Sequence, residues 1–171
     1  MIRLALVLAA VAFGFTPDRT PSTVTKVCAT ADTVWDDLPT ETTATGMSWT
    51  PAPNAKYRVT ADVIFTAAAT TTGMQGRLDP GNATTGACYG VVRNSSSTTA
   101  SVYTGSVGTT ISTNDVLGSS SANTFTRLQY SCLLQAAASP TALAYKFHTE
   151  VDTSAVTVKA GLSCLWIERL Q

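Results

Sequence analysis

Residues 57–65 alternate apolar and polar side chains almost without exception. Apolar residues occupy the odd positions and polar residues the even ones, apart from Ile64. A period of two places successive side chains on opposite faces of an extended strand. The segment therefore predicts a β-strand with one buried face and one face in contact with solvent.

Three further segments alternate in the same way. They are 127–134, 143–148 and 156–160, and a largely apolar run over 163–170 closes the chain. The stretches between the strands are rich in Gly, Ser, Thr and Asn, and Pro51 and Pro53 force a turn before Tyr57. Strands of this length with turns between them predict an all-β, jelly-roll-like antiparallel β-sandwich of about eight strands.

Three alanines, three threonines and a glycine follow the first predicted strand, over 67–73. Small side chains allow a neighbouring segment to approach closely, and Gly73 gives the backbone the freedom that a reversal needs. We expect residues 67–72 to finish the strand and Gly73 to turn the chain into the next one.

Charge and composition argue against several classes of partner. Lys and Arg number 11, as do Asp and Glu, so no net charge draws the chain to nucleic acid or to an anionic membrane. Charged residues make up 13% of the chain, which suits polar strand faces and loops better than ion-paired helices. We expect one domain and no direct binding of nucleic acid.

The four cysteines, at positions 28, 88, 132 and 164, stand far apart. None of them has the close spacing of a zinc or redox motif, so the sequence predicts no metal site and no cofactor. Cys132 and Cys164 alternate with polar residues in strand-like runs, where cysteine usually behaves as a small buried hydrophobe. We therefore expect free, buried thiols, while disulfides remain an alternative whose pairing the sequence does not determine.

The first fifteen residues are almost entirely apolar, with Arg3 near the start. The run is shorter than the roughly 20 residues of a bilayer span, and a signal peptide is the alternative interpretation. Because an exposed apolar segment has to be covered, we interpret it as a docking arm that packs against another protein chain. With two prolines, residues 16–26 resemble a linker, so 1–26 is the predicted arm and linker and 27–171 the β-sandwich domain. The residues expected to make the docking contacts are Leu4, Leu6, Val7, Leu8, Val11, Phe13 and Phe15.

Catalytic chemistry has little support in the sequence. His148 is the single histidine, and the chain contains neither a G-x-S-x-G nor an H-E-x-x-H motif. In an extended strand His148, Glu150 and Asp152 would share one face and could hold a cation. A solvated strand face, or an ion pair at a subunit contact, is the simpler interpretation of these three residues.

Two aspartates and three aromatic residues are the remaining candidates for a site. Asp36 and Asp37 point to opposite faces of an extended chain, so a surface turn explains them better than a pair of glycosidase carboxylates. Trp35, Trp49 and Tyr103 could stack on sugar rings, but core or interface packing is the commoner environment of tryptophan in a sandwich. The sequence therefore predicts a protein that is not an enzyme.

Several short motifs resemble a domain of tailed-bacteriophage virion proteins. In chain order they are DLP, TGMSWTP, PNAKY, AAATTTGMQGRL and SAVTVKAGLSCLWIERL, so the resemblance covers residues 34–171. The domain is found at the C-terminal ends of tail and fibre proteins and in small capsid proteins. Two features depart from its pattern: Leu162 and Ser163 lead into Cys164 and Trp166 at the last strand, and the apolar arm is an addition.

The resemblance implies a homotrimeric β-sandwich displayed on the surface of a phage particle. The expected function is capsid decoration, in which the protein acts as a cement and its arm docks on the major capsid protein or another virion protein. The alternative is a tail-fibre or tail-tip knob that binds a host receptor. At interfaces we expect Trp166, Ile167, Trp35 and Trp49.

Overall fold

The structure, a computed structural model, describes residues 23–83, 85–93, 100–106, 117–118 and 122–170. These residues form twelve strands and no helix. The strands are β1 (Val24–Cys28), β2 (Thr33–Trp35), β3 (Thr42–Trp49), β4 (Lys56–Ala67), β5 (Gly73–Asp79), β6 (Thr85–Arg93), β7 (Ala100–Ser106), β8 (Leu117–Gly118), β9 (Thr126–Gln135), β10 (Leu143–Thr149), β11 (Val156–Val158) and β12 (Cys164–Leu170). Accordingly, no helix in these ranges is long and apolar enough to cross a membrane.

The strands build two antiparallel sheets with jelly-roll topology. The larger sheet has eight strands, six of them in the order β1-β12-β4-β9-β6-β7, and the smaller sheet has the order β3-β10-β5-β8. From β3 to β5, and again from β8 to β10, each strand lies in the sheet opposite its predecessor. The fold prediction is confirmed, and the β6–β7 hairpin and the short strands β2 and β11 are additions to the eight-stranded pattern.

The short strands arise because two strands of the larger sheet are interrupted. Strand β4 pairs with β12 along Lys56–Asp62 and with β11 along Phe65–Ala67. On the far side, β1 pairs with β12 and β2 pairs with β11. A turn over 159–163 separates β11 from β12. In this turn the fully buried Ser163 Oγ accepts a hydrogen bond from Ile64 N and donates one to Ile64 O, both at 3.0 Å. The side chain thus supplies the pairing that the interrupted strand does not.

The core follows the alternation that the sequence predicts. In β4 the odd positions from Tyr57 to Phe65 are at most 3% exposed, and in β10 Leu143, Tyr145 and Phe147 are fully buried. The core is so tightly packed that a Cβ added to Gly76 of β5 would lie 1.9 Å from the Tyr145 hydroxyl. A glycine is required there because the tyrosine ring fills the space of a side chain.

The turn after β4 differs from its prediction. Strand β4 ends at Ala67, residues 68–72 form the turn, and Gly73 is the first residue of β5. The alanine and threonine run therefore makes the reversal itself, and Gly73 contributes to the next strand. The turn is fixed by a hydrogen bond from Ala68 N to Ala155 O, 2.9 Å long.

The start of the domain also differs from its prediction. Strand β1 begins at Val24, so residues 24–26, which the sequence assigns to the linker, are strand. They extend because β12 offers a paired edge, with Val24 opposite Glu168 and Lys26 opposite Trp166. The predicted docking arm, with the seven docking residues named above, lies outside the described residues.

The prediction of free thiols is wrong. Cys28 at the end of β1 forms a disulfide with Cys164 at the start of β12, two residues directly opposite each other in the sheet. Cys132 of β9 is disulfide-bonded as well, and the residue opposite it on β6 is Cys88. None of the cysteines in the described part is free. Cys28 and Cys164 are cross-strand neighbours, a relation that becomes visible once the strand order is known.

Candidate association surface

The outward side of the larger sheet, here called the outer face, is broad and partly apolar. The alternation that buries Leu165 and Ile167 of β12 turns Trp166 outward, where 42% of it is exposed. Two exposed apolar residues share this face, Val24 on β1 and Leu133 on β9. Large apolar side chains in an exposed sheet face are typical of surfaces that another protein covers.

The polar groups of the outer face are mostly paired within the chain. Arg58 contacts Glu168 at 3.0 Å, and Arg127 contacts Asp62 through two hydrogen bonds of 2.7 and 2.6 Å. These two pairs lie on either side of a central row in which Trp166, Thr60 and Ser131 follow one another across β12, β4 and β9.

The central row combines the Trp166 ring with two hydroxyl groups and one charged group, the ammonium of Lys26. Thr60 Oγ1 and Ser131 Oγ are hydrogen-bonded at 2.8 Å, and Lys26 Nζ lies 4.6 Å from the centre of the Trp166 ring. A cation over an aromatic face is attracted by the ring quadrupole. Because charges already paired cost less to remove from water than isolated ones, the two ion pairs of the outer face can be covered by a partner at a lower cost than unpaired charges.

Of the four predicted interface residues, Trp166 alone is exposed at a surface. Ile167 is 1% exposed inside its own chain, so its prediction as an interface residue is wrong. Trp35 and Trp49 are half-buried and pack against the core. Trp35 Nε1 donates to Thr40 O at 2.8 Å, and Trp49 meets the Tyr57 ring edge-on at 4.9 Å.

Sequence reasoning missed two residues of the outer face. In the alternation of β9, Leu133 lies at a position that faces outward and that polar residues usually occupy. A leucine at such a position is the signal in the sequence that indicates an outward apolar contact. Val24 lies in the stretch assigned to the linker. Tyr103, a sugar-stacking candidate, lies in β7, where its side chain falls outside the described part of the chain.

A second surface, here called the loop end, is formed where four connections meet at one end of the sandwich. They are residues 36–40, 68–72, 122–125 and 150–155. Hydrogen bonds join Thr153 N to Asp36 O and Asn123 N to Ala67 O, each 2.8 Å long. Three exposed apolar residues lie in these connections: Leu38, Phe125 and Val151.

The structure does not bring the predicted cation ligands together on one strand. Strand β10 ends at Thr149, so His148 lies in the strand while Glu150 and Asp152 lie in the turn that follows. His148 Nδ1 is 2.7 Å from Thr149 O, and in the described ranges no group of three or more metal-binding side chains occurs. Asp36 and Asp37 are exposed in the connection between β2 and β3, just before a bend at residues 38–39.

The outward face of the smaller sheet carries a network of ion pairs. Arg77 donates two hydrogen bonds of 2.6 Å to Glu41, and Lys146 lies 2.6 Å from Asp79. The Arg77 hydrogen bond holds the pKa of Glu41 below its usual value. Burial acts to raise the pKa of Asp79, but hydrogen bonds from Lys146 and from Gly81 N outweigh it and the net shift is downward. These groups neutralise one another, so the network offers little to a charged ligand.

Comparison with known proteins identifies no family for this chain. No family model matches it, and no curated protein matches it. One similar solved structure is that of infectious bursal disease virus, Gx strain, at 9% sequence identity and a TM-score of 0.24. The similarity covers 89% of this chain and 37% of the viral chain, so this chain spans little more than a third of that protein's length.

Proposed function

We propose that this protein is a structural component of a tailed-phage virion, a homotrimeric capsid decoration protein that docks through its N-terminal arm. The observation that carries the proposal is the outer face: a wide sheet surface with an exposed tryptophan and two internal ion pairs. The motif resemblance over 34–171 supplies the virion context. A jelly roll is also a common architecture of capsid proteins, which is an analogy of fold alone.

The size of the outer face fits a subunit interface. It is six strands wide, and β12 contributes seven residues to its length. At about 4.8 Å between strands and 3.4 Å per residue, this is roughly 24 Å by 24 Å. The resulting projected area, on the order of 600 Å², approaches the about 800 Å² of accessible surface that each partner buries in a standard interface.

The mechanism is the burial of surface between neighbouring proteins. Subunits that associate through the outer face cover Trp166, Val24 and Leu133, and the arm adds apolar contacts with the shell. A protein that binds the assembled shell and not its separated parts stabilises the assembly by mass action. Such a cement opposes the outward pressure of packaged DNA.

The number of copies per particle tests the proposal. Quantitative mass spectrometry of purified virions should find hundreds of copies for a protein bound to the capsid lattice. A handful of copies, in multiples of three or six, would place the protein at the tail instead. Absence from purified particles would refute a virion function altogether.

Trp166→Glu tests the association surface separately. The change places a carboxylate in the central row of the outer face, and we expect the trimer to dissociate to monomers with the β-sandwich intact. Leu162→Glu is the matched control, since Leu162 is similarly exposed but lies in the turn before β12. Sedimentation velocity gives the mass of each variant. A wild-type monomer, or equal association of wild type and Trp166→Glu, would contradict the assignment of the outer face.

The loop end favours a second candidate function, a tail-fibre or tail-tip knob. Exposed Leu38, Phe125 and Val151 lie in connections of the sandwich, and such loops on a rigid scaffold commonly carry binding residues. On this alternative Phe125→Ser should reduce adsorption of phage to its host and leave the number of copies per particle unchanged. Normal adsorption by the variant would argue against a receptor contact at Phe125.

A further inference from the structure

Strand β1 is held weakly by non-covalent contacts. It is an edge strand whose one neighbour in the sheet is β12. Its first three residues are exposed, Val24 at 52%, and Val27 is the one that packs in part against the core. An edge strand with few buried side chains opens locally at a low free-energy cost. The pairing alone therefore gives β1 little protection against peeling from the sheet.

The chain is anchored firmly just beyond β1. Ala29 is 3% exposed, its N–H donates to Ser163 O, and its carbonyl accepts from Gly161 N, both at 2.9 Å. Thr30 N then donates to Thr45 O of β3 at 2.9 Å, which ties this point to the second sheet. The disulfide of Cys28 lies between this anchor and the exposed strand.

We propose that the Cys28–Cys164 disulfide is a redox clamp that fixes β1 to the sheet, so that its reduction releases residues 24–28 while the rest of the sandwich stays folded. When β1 is released, the first residue held in the sandwich is Ala29 at the anchor rather than Val24. The freed segment gains five residues, which can span about 17 Å at about 3.4 Å each.

The reductive step is a thiol–disulfide exchange with a dithiol. A thiolate of the reductant attacks the sulfur of Cys28, the more exposed member of the pair, and Cys164 leaves as a thiolate that takes up a proton. The second thiol of the reductant then displaces Cys28 as a thiol and closes the reductant's own disulfide. Two electrons and two protons pass from the dithiol to the protein. The other bonded cysteine, Cys132, is fully buried and is expected to react later.

One consequence rests on the proposed function. The host cytosol keeps thiols reduced, so β1 would be loose while the arm finds its site on the shell. After release of the particle, exchange with a small-molecule disulfide would close the clamp and shorten the arm. The clamp itself requires none of this and is tested on the isolated protein.

The test uses the full chain and the double variant Cys28→Ala, Cys164→Ala. Trypsin recognises Lys26 within β1, so cleavage after Lys26 reports whether the strand is released, and hydrogen exchange of the amides of residues 24–28 reports the same event. We expect the oxidised wild type to resist cleavage at Lys26. The double variant should yield a fragment that begins at Val27, while Lys56 and Lys146, in interior strands, stay uncut.

Val63→Ala is the matched control, because it removes a fully buried side chain from β4 and lowers global stability without touching the disulfide. Equal protection of β1 in the wild type and the double variant would overturn the proposal. So would equal release of β1 by Val63→Ala, because opening would then follow global stability. If the double variant does not fold, titration of the wild type with dithiol replaces it. Modification of Cys132 before Cys28 and Cys164, or no cleavage at Lys26 once those two are reduced, would also overturn the clamp.

Discussion

Ser163→Ala should destabilise the domain far more than its small change in volume implies. The serine is fully buried, and its hydroxyl accepts a hydrogen bond from Ile64 N at 3.0 Å. The carbonyl of Ile64 has a second donor, Lys159 N at 2.9 Å, so it stays paired after the substitution. The amide has no such substitute among the contacts described, and one buried unsatisfied donor costs about 1–3 kcal/mol. For a chain of this length that corresponds to a fall in Tm of roughly 2–12 °C.

Ser131→Ala is the matched control for this substitution. Its hydroxyl bonds to the Thr60 hydroxyl on the half-exposed outer face, where water replaces the lost partner, so we expect a cost below about 1 kcal/mol. Urea denaturation gives both free energies of unfolding, and hydrogen exchange at the Ile64 amide gives the local effect. If Ser163→Ala costs no more than Ser131→Ala and the Ile64 amide stays protected, the argument from an orphaned amide is wrong.

Two further predictions concern packing and acid stability. Gly76→Ala should lower the free energy of unfolding by about 1–3 kcal/mol through overpacking, because the new methyl group would overlap the Tyr145 hydroxyl. In a Tyr145→Phe background the same change should cost less. A double-mutant cycle that shows no coupling between the two positions would contradict the overlap. The lowered pKa of Glu41 means that its ion pair with Arg77 stabilises the fold above about pH 4.3 and is lost as the pH falls through the folded-state value. The urea midpoint, measured between about pH 3 and pH 7, should therefore fall less steeply in acid for Glu41→Gln than for the wild type. If the midpoints of the two proteins fall in parallel with pH, the ion pair does not contribute to acid stability.

The sequence predicts the fold well because side-chain alternation is a local property. The buried positions of β4, and those of β9 whose side chains are described, are the ones that a period of two selects, and β10 departs from this pattern at Ala144, which is buried as well. The turn over 68–72 was misplaced by a few residues, since small residues and threonine fit both a strand end and a turn.

The candidate site was less predictable because it depends on strand order. Trp166 and Leu133 are far apart in sequence and share a face because β12 and β9 both pair with β4. The disulfide of Cys28 and Cys164 has the same origin, a neighbourhood that no spacing of cysteines along the chain encodes. Ile167 was predicted at an interface because a run of apolar residues does not reveal which of two alternating faces is inward.

The adjacency of β1 and β12 also determines when the domain can fold. The first strand of the larger sheet pairs with the last, and the central strand β4 pairs with β9, β11 and β12, all from the second half of the chain. A chain emerging from the ribosome therefore carries β4 without these neighbours until residues of the 126–170 region have been made. Closure of such long-range pairings is slow, and the unpaired strand is exposed to aggregation in the interval. Production of this protein should accordingly depend on temperature and on chaperone capacity more than its final stability suggests.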